Sequence, residues 1–342
     1  MNNKSKLFNA VSLMFLSVIL YSLSPIFFHI GNADIAPLGF NATRMFFECV
    51  ILFSCIAFLY YKKINIIEIL IIKKAITTNW CKYLLIGIFI GAFDLAILAW
   101  SLKYINLAAA TVLYQTWPIW MILFTSKMFI KNNRYEKVGL HGWFYIIIGF
   151  IGLSIVILSQ IKLEISNKEI NFEFNKSVFA GSLLAVIAAI ISALHVSCSI
   201  KWGNEKMNSL LSDNKNMNID SIKKYVEMFF VMTGILIASI PVVIVSCLFL
   251  FSIDIDEEIH ISNMAMAAIQ GSFFAGGIAM IIYRMANIIT PRLEINILSY
   301  AIPLISILWI GIFGYIEVIK LNWLIIGACG IVAANILIYF KK

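Results

Sequence analysis

Three ionisable side chains stand in apolar stretches, where hydrocarbon is expected. Arg44 and Glu48 lie four residues apart, so on a helix they share one face. Asp94 lies in the next apolar stretch along the chain. Such groups are costly inside a membrane and mark pathways, relays or binding sites. Two acids and one base leave a formal surplus of one negative charge. The set has two readings. Arg44 and Glu48 form an internal ion pair that holds helices together, and Asp94 makes a helix-packing hydrogen bond. Alternatively, Arg44 anchors a substrate carboxylate, and an acid takes a proton or the amine of a substrate.

A second group combines aromatic and polar residues with proline. Tyr114, Gln115 and Trp117 sit beside Pro118 within one apolar run, and Ser299 and Tyr300 precede Pro303 in another. Proline frees a backbone carbonyl about four residues upstream, which nearby polar groups satisfy. Repair of that break is one role for Gln115; lining a cavity is the other. Tyr and Trp near the middle of a span favour a cavity over an interfacial belt. Tyr21, Ser22, Ser24 and Pro25 make a similar polar break in the first apolar run. His195 is either a hydrogen-bonded packing residue or a proton or substrate contact. Trp100 and Trp120 read as packing or interface residues. Arg284, Arg292 and Glu294 fall at span ends, where topology accounts for the arginines and an inner gate is the alternative.

Other chemistries find little support. His29, His141, His195 and His260 are scattered, and the chain has no H-E-x-x-H, C-x-x-C or nucleotide-binding P-loop. No metal, cofactor, ATP drive or enzymatic centre is expected. A polytopic membrane enzyme or a non-transporting sensor or scaffold is the competing class. The six cysteines read as reduced, buried small hydrophobes.

The elements that must position these residues follow from composition. The 342 residues are 61% hydrophobic and 13% charged, which excludes an ordinary soluble domain. Mean hydropathy is +0.93. Apolar blocks of roughly 20 residues match the length of a membrane-crossing helix. Ten spans are expected, near 9–30, 37–61, 82–102, 106–127, 139–159, 178–200, 225–252, 263–285, 293–314 and 321–340. The first is expected to be retained rather than cleaved.

The net charge of +8 reflects topology rather than nucleic-acid binding. Twenty Lys and Arg fall in one set of loops and five in the other, with Arg44 inside a span. This bias predicts cytoplasmic termini. Residues 62–80 read as an interfacial amphipathic helix or a plain loop. Residues 203–222 are polar and read as a mobile cytoplasmic linker, within a boundary region at about 201–224.

The chain also matches itself. An offset of about 185 residues pairs Gly91 with Gly276, Leu113 with Leu298, Pro118 with Pro303 and Leu123 with Leu308. Gly149-x-x-Gly152 likewise corresponds to Gly327-x-x-Gly330. Small-x-x-small spacing lets helix backbones approach closely in lipid. Five spans per unit, an odd number, invert the second unit relative to the first. The expected architecture is all-α, with two inverted five-helix repeats over 1–160 and 178–342.

With Arg44 early in span two, the short turn between spans three and four, Trp117-Pro118 and Ser299-Tyr300-Ala301-Ile302-Pro303, the chain resembles the drug/metabolite transporter superfamily. The resemblance is to its EamA-like ten-span branch and covers nearly the whole chain. It implies a secondary carrier with a midplane cavity lined by spans one, three, four, six, eight and nine. Known members move amino acids, nucleotide sugars, other metabolites and drugs. The expected partners are a small-molecule substrate, such as an amino acid or related amphipathic metabolite, protons and the lipid bilayer. Nucleic acid is not among them. The expected setting is a bacterial inner (plasma) membrane, with the chain as monomer or homodimer.

Overall fold

In a bilayer each backbone N–H and C=O must be satisfied within the protein, so long apolar stretches become helices. The computed structural model describes residues 3–32, 37–63, 94–124, 140–158, 162–166, 169–173, 176–212, 261–289, 298–314 and 318–340, with isolated positions in 77–85 and 236–248. The chain opens with α1 (Asn3–Asn32) and α2 (Pro37–Lys63). Helix α3 (Asp94–Ser101) is followed by α4 (Leu107–Tyr114) and α5 (Trp117–Phe124). Helix α6 (Leu140–Leu158) leads to a hairpin of β1 (Lys162–Ser166) and β2 (Glu169–Glu173). Then come α7 (Lys176–Ser212) and α8 (Ile261–Ile269). A π-helical turn (Gln270–Ala275) separates α8 from α9 (Ile278–Ile289). A 3-10 turn (Leu298–Ala301) leads into α10 (Ile302–Ile312), and α11 (Val318–Phe340) closes the order.

Among the described residues, three stretches within helices are long and apolar enough to cross a membrane: Leu7–Gly31, Lys176–Leu194 and Ala265–Tyr283. Large apolar side chains such as Phe15, Phe53, Ile151 and Leu308 are exposed on the outside. An exposed apolar surface of this kind suits lipid and not water.

The helices associate in a reciprocal pattern. Helix α1 packs against α8, the π turn, α9 and α10, while α7 packs against α3, α4 and α5. Helix α4 meets α10, and α6 meets α11. The α6–α11 seam is built on glycine. A Cβ at Gly152 would lie 2.7 Å from the Gly327 carbonyl oxygen, and one at Gly330 would lie 3.3 Å from the Gly152 Cα. The Gly149/Gly152 and Gly327/Gly330 motifs therefore pack against each other, backbone on backbone.

Both proline breaks become interruptions in the helices. The first lies between α4 and α5 and the second between the 3-10 turn and α10. At the first break, Thr116 bonds back to Leu113, one residue before the Tyr114 carbonyl that Pro118 frees. Its N–H and its hydroxyl both donate to the Leu113 carbonyl, at 3.2 and 2.7 Å. Trp120 Nε1 in turn donates to the Thr116 hydroxyl at 3.2 Å and packs edge-on against Phe150. Gln115 contributes through its backbone, its N–H donating to the Thr111 carbonyl at 3.0 Å. The short turn before α4 ends in a cap: the Asn106 side chain accepts from the Ala109 N–H at 2.8 Å.

Several expectations need revision. Helix α7 has 37 residues, roughly 55 Å, against a hydrocarbon core of about 30 Å. Residues 203–212 continue this helix, so the polar stretch begins as a helical extension. The i→i−4 ladder, once nucleated in the apolar half, propagates into residues with no apolar period. The segment after α6 is a hairpin. Its strands pair antiparallel, with Leu163 opposite Phe172 and Lys162 opposite Glu173. Of the described cysteines, only Cys198 is buried; Cys49 and Cys55 are half-buried, and Cys81 and Cys329 are exposed. A thiol is apolar enough to face lipid as readily as a protein core. Cys247, Gly91, Arg292, Glu294 and the 64–76 stretch lie outside the described residues.

Candidate functional site

Helix α2 carries Arg44 and Glu48 one turn apart, and the structure brings them together. Arg44 Nη1 lies 3.1 Å from Glu48 Oε2, with Arg44 4% and Glu48 5% exposed. Arg44 Nη2 also donates to Met45 Sδ. A buried charge is tolerated only when paired and hydrogen-bonded, and this pair meets the condition within one helix.

The π turn covers the pair from the other side. A Cβ on Gly271 would overlap the Arg44 carbonyl group, and one on Gly276 would overlap the Glu48 carboxyl. Only residues without a side chain let this segment lie so close to α2. The extra residue of the π turn re-aims the following helix, a device frequent at functional sites. The Gly276 seen in the repeat pattern thus makes room for Glu48.

Asp94 opens α3 and is 7% exposed. Helix α3 contacts α2. Tyr114, at the end of α4, lies within electrostatic range of both Asp94 and Arg44. Its hydroxyl donates to the Ser192 Oγ of α7 at 3.3 Å. Tyr114 is therefore the residue that links the charged group on α2 and α3 to α7.

The remaining candidates distribute differently. Tyr21 packs in a satellite cluster with Met14, Tyr283 and Leu298. Gln115 and Trp117 are half-buried at the α4–α5 break, and Ser299 is half-buried in the 3-10 turn. His195 and Tyr300 lie on helical backbone, but their side chains fall outside the described residues. Sequence reasoning passed over Gln270. It starts the π turn, is 2% exposed, and donates through Nε2 to Ser24 Oγ of α1 at 2.8 Å. Trp309 Nε1 of α10 reaches the same helix, donating to Ser22 Oγ at 3.1 Å. A buried glutamine in the same apolar run as the paired glycine Gly276 was the available signal. The described His, Cys, Asp and Glu side chains form no group of three or more able to hold a metal ion.

Residues 8–158, which carry most of this site, match the sequence model of the EamA-like transporter family. That segment is EamA-like. It contains Arg44, Glu48, Asp94, Tyr114, Gln115 and Trp117, and through that family it falls within the drug/metabolite transporter superfamily. Together with the apolar helices, the match makes the chain an integral membrane protein. One solved crystal structure, described only as that of a protein, aligns over 96% of this chain and 95% of its own, with a TM-score of 0.57 and 15% identity. That likeness concerns the fold alone, and it extends beyond the EamA-like segment to nearly the whole chain. No curated protein matches the sequence.

Proposed function

We propose that the chain is a secondary carrier of ten spans, built as two inverted five-helix repeats over residues 1–160 and 178–342. It moves a small polar metabolite, an amino acid or a related amphipathic compound, by alternating access. The observation that carries this reading is the reciprocal packing of the helices. By order within the two repeats, span one corresponds to span six, three to eight and four to nine. Helix α1 packs on the helices of spans eight and nine, and α7 packs on those of spans three and four. Each repeat thus lends its first helix to the other. Spans four and nine, and spans five and ten, meet their own counterparts across the same axis. A pseudo-twofold arrangement of this kind lets two half-bundles rock against each other around a central site.

The site of this carrier is the charged group of Arg44, Glu48 and Asp94 with Tyr114 and Ser192. Asp94 is the acid assigned to proton coupling or to the amine of a substrate. Tyr21, Gln115, Trp117, His195, Ser299 and Tyr300 stand along the spans that line the cavity. The basic bias of the loops puts both termini in the cytoplasm of a bacterial inner membrane. The chain acts as a monomer or homodimer and not as an enzyme. The deciding experiment is uptake and counterflow in proteoliposomes, with and without an imposed pH gradient. Solute movement that requires the protein and follows the gradient supports the reading; a purified chain that moves no solute but turns over a lipid-linked substrate refutes it.

A further inference from the structure

A polar group outside the charged site is left half-satisfied. Gln270 is 2% exposed, and its amide has two poles. Nε2 donates to Ser24 Oγ at 2.8 Å. Oε1 is buried and accepts no hydrogen bond. An unsatisfied buried carbonyl carries a desolvation penalty of about 1–3 kcal/mol, so its place asks for an explanation.

Its place is also unusual as backbone. Gln270 is the first residue of the π turn, where the helical ladder is already broken. The next residue, Gly271, lies against the Arg44 backbone of α2, while Gln270 itself reaches Ser24 of α1. Phe274 of the same turn stacks on Phe27 of α1, with ring centroids 4.3 Å apart. One turn of helix thus holds the ion pair on one side and an aromatic–amide contact with α1 on the other.

We propose that Gln270 is a specificity-determining residue: its Oε1 accepts a hydrogen bond from a donor group of the bound solute, an ammonium or a hydroxyl. Ser24 holds the amide in register by taking its Nε2 hydrogen, which leaves the carbonyl as the free pole. A site built to hydrogen-bond a donor discriminates strongly against the analogue that lacks it, because the carbonyl is then left unpaired. This inference deepens the carrier reading and rests on it for the flux measurements, but the binding measurement below stands apart from transport.

The test uses the full-length purified protein and a defined panel: the proteinogenic amino acids, the 2-hydroxy acids of matching side chain, and the corresponding carboxylic acids with neither group. Thermal stability in detergent reports binding, and counterflow in proteoliposomes reports transport. The expected result is that the wild type is stabilised by panel members bearing a donor and not by the carboxylic acids. In Gln270→Leu the stabilisation by donor-bearing members falls by at least tenfold in apparent affinity, while the unliganded melting temperature is kept or raised. Gln270→Glu, which retains an acceptor, keeps donor binding. Binding without counterflow would leave the subsite standing and sink the carrier reading. Counterflow with the same solute preference in wild type and Gln270→Leu overturns the subsite alone. A lowered unliganded melting temperature in Gln270→Leu with unchanged solute affinity assigns Gln270 to helix packing and overturns it. A wild type stabilised by no panel member overturns it too.

Discussion

The tight fit of Gly276 against Glu48 makes a quantitative prediction. In Gly276→Ala the new methyl falls on the Glu48 carboxyl, so the carboxyl must move. Glu48 is 5% exposed, and a shift of its carboxyl acts directly on the 3.1 Å bond to Arg44. Separating a buried pair while both charges stay in place costs about 3–5 kcal/mol. Alanine at Gly276, whose backbone lies in the right-handed helical region outside a helix, offsets about 0.4–1 kcal/mol of that through the unfolded chain. A net loss of roughly 2–4 kcal/mol is therefore expected. The same substitution in an Arg44→Met/Glu48→Ala background meets no carboxyl. Removing both members of a buried pair is often neutral, so there Gly276→Ala is expected to cost close to nothing. Unfolding by SDS titration in mixed micelles, read by tryptophan fluorescence, measures all four corners of the cycle. A Gly276→Ala cost that is equal in both backgrounds would show that the clash lies elsewhere, and the reasoning would fail.

The remaining predictions concern other contacts of the same frame. Gly271→Ala is expected to be worse than Gly276→Ala, because its methyl meets the Arg44 backbone, which no rotamer change relieves; the same titration ranks the two. At the α6–α11 seam, Gly152→Ala presses on the Gly327 carbonyl, whereas Gly149→Ala presses on the end of the Ile119 side chain. The first should cost about 1–3 kcal/mol or more and the second clearly less, and equal losses of melting temperature would contradict the seam. Thr116→Val removes the hydroxyl that bonds both Leu113 and Trp120. A loss of about 1–2 kcal/mol is expected, whereas Gln115→Leu should leave stability nearly unchanged; a reversed order would assign the repair to Gln115. If Asp94 carries protons, Asp94→Asn abolishes pH-gradient-driven flux and leaves counterflow largely intact; full gradient-driven flux in that variant removes the proton role.

What the sequence determined by itself is what depends on local composition and periodic pattern. Blocks of apolar residues of bilayer length demanded helices, since no other backbone is satisfied in lipid. The spacing of Arg44 and Glu48 put them on one face, and Asn106 and Pro118 marked where helices start and break. The glycine motifs announced close packing, and Gly276 stood out by its offset from Gly91. Which backbone each glycine admits was beyond the sequence, because small-x-x-small spacing names a surface and not its partner. Tertiary structure joined Gly152 to Gly327, set Gly276 over Glu48 and brought Tyr114 to Ser192. It also gave the bond to the Leu113 carbonyl at the break to Thr116, whose hydroxyl points back at it. Gln270 and Ser24 are 246 residues apart, and no pattern in either stretch announces their contact. Contacts of that kind arise from how helices cross, and the crossing is set by the whole packed bundle.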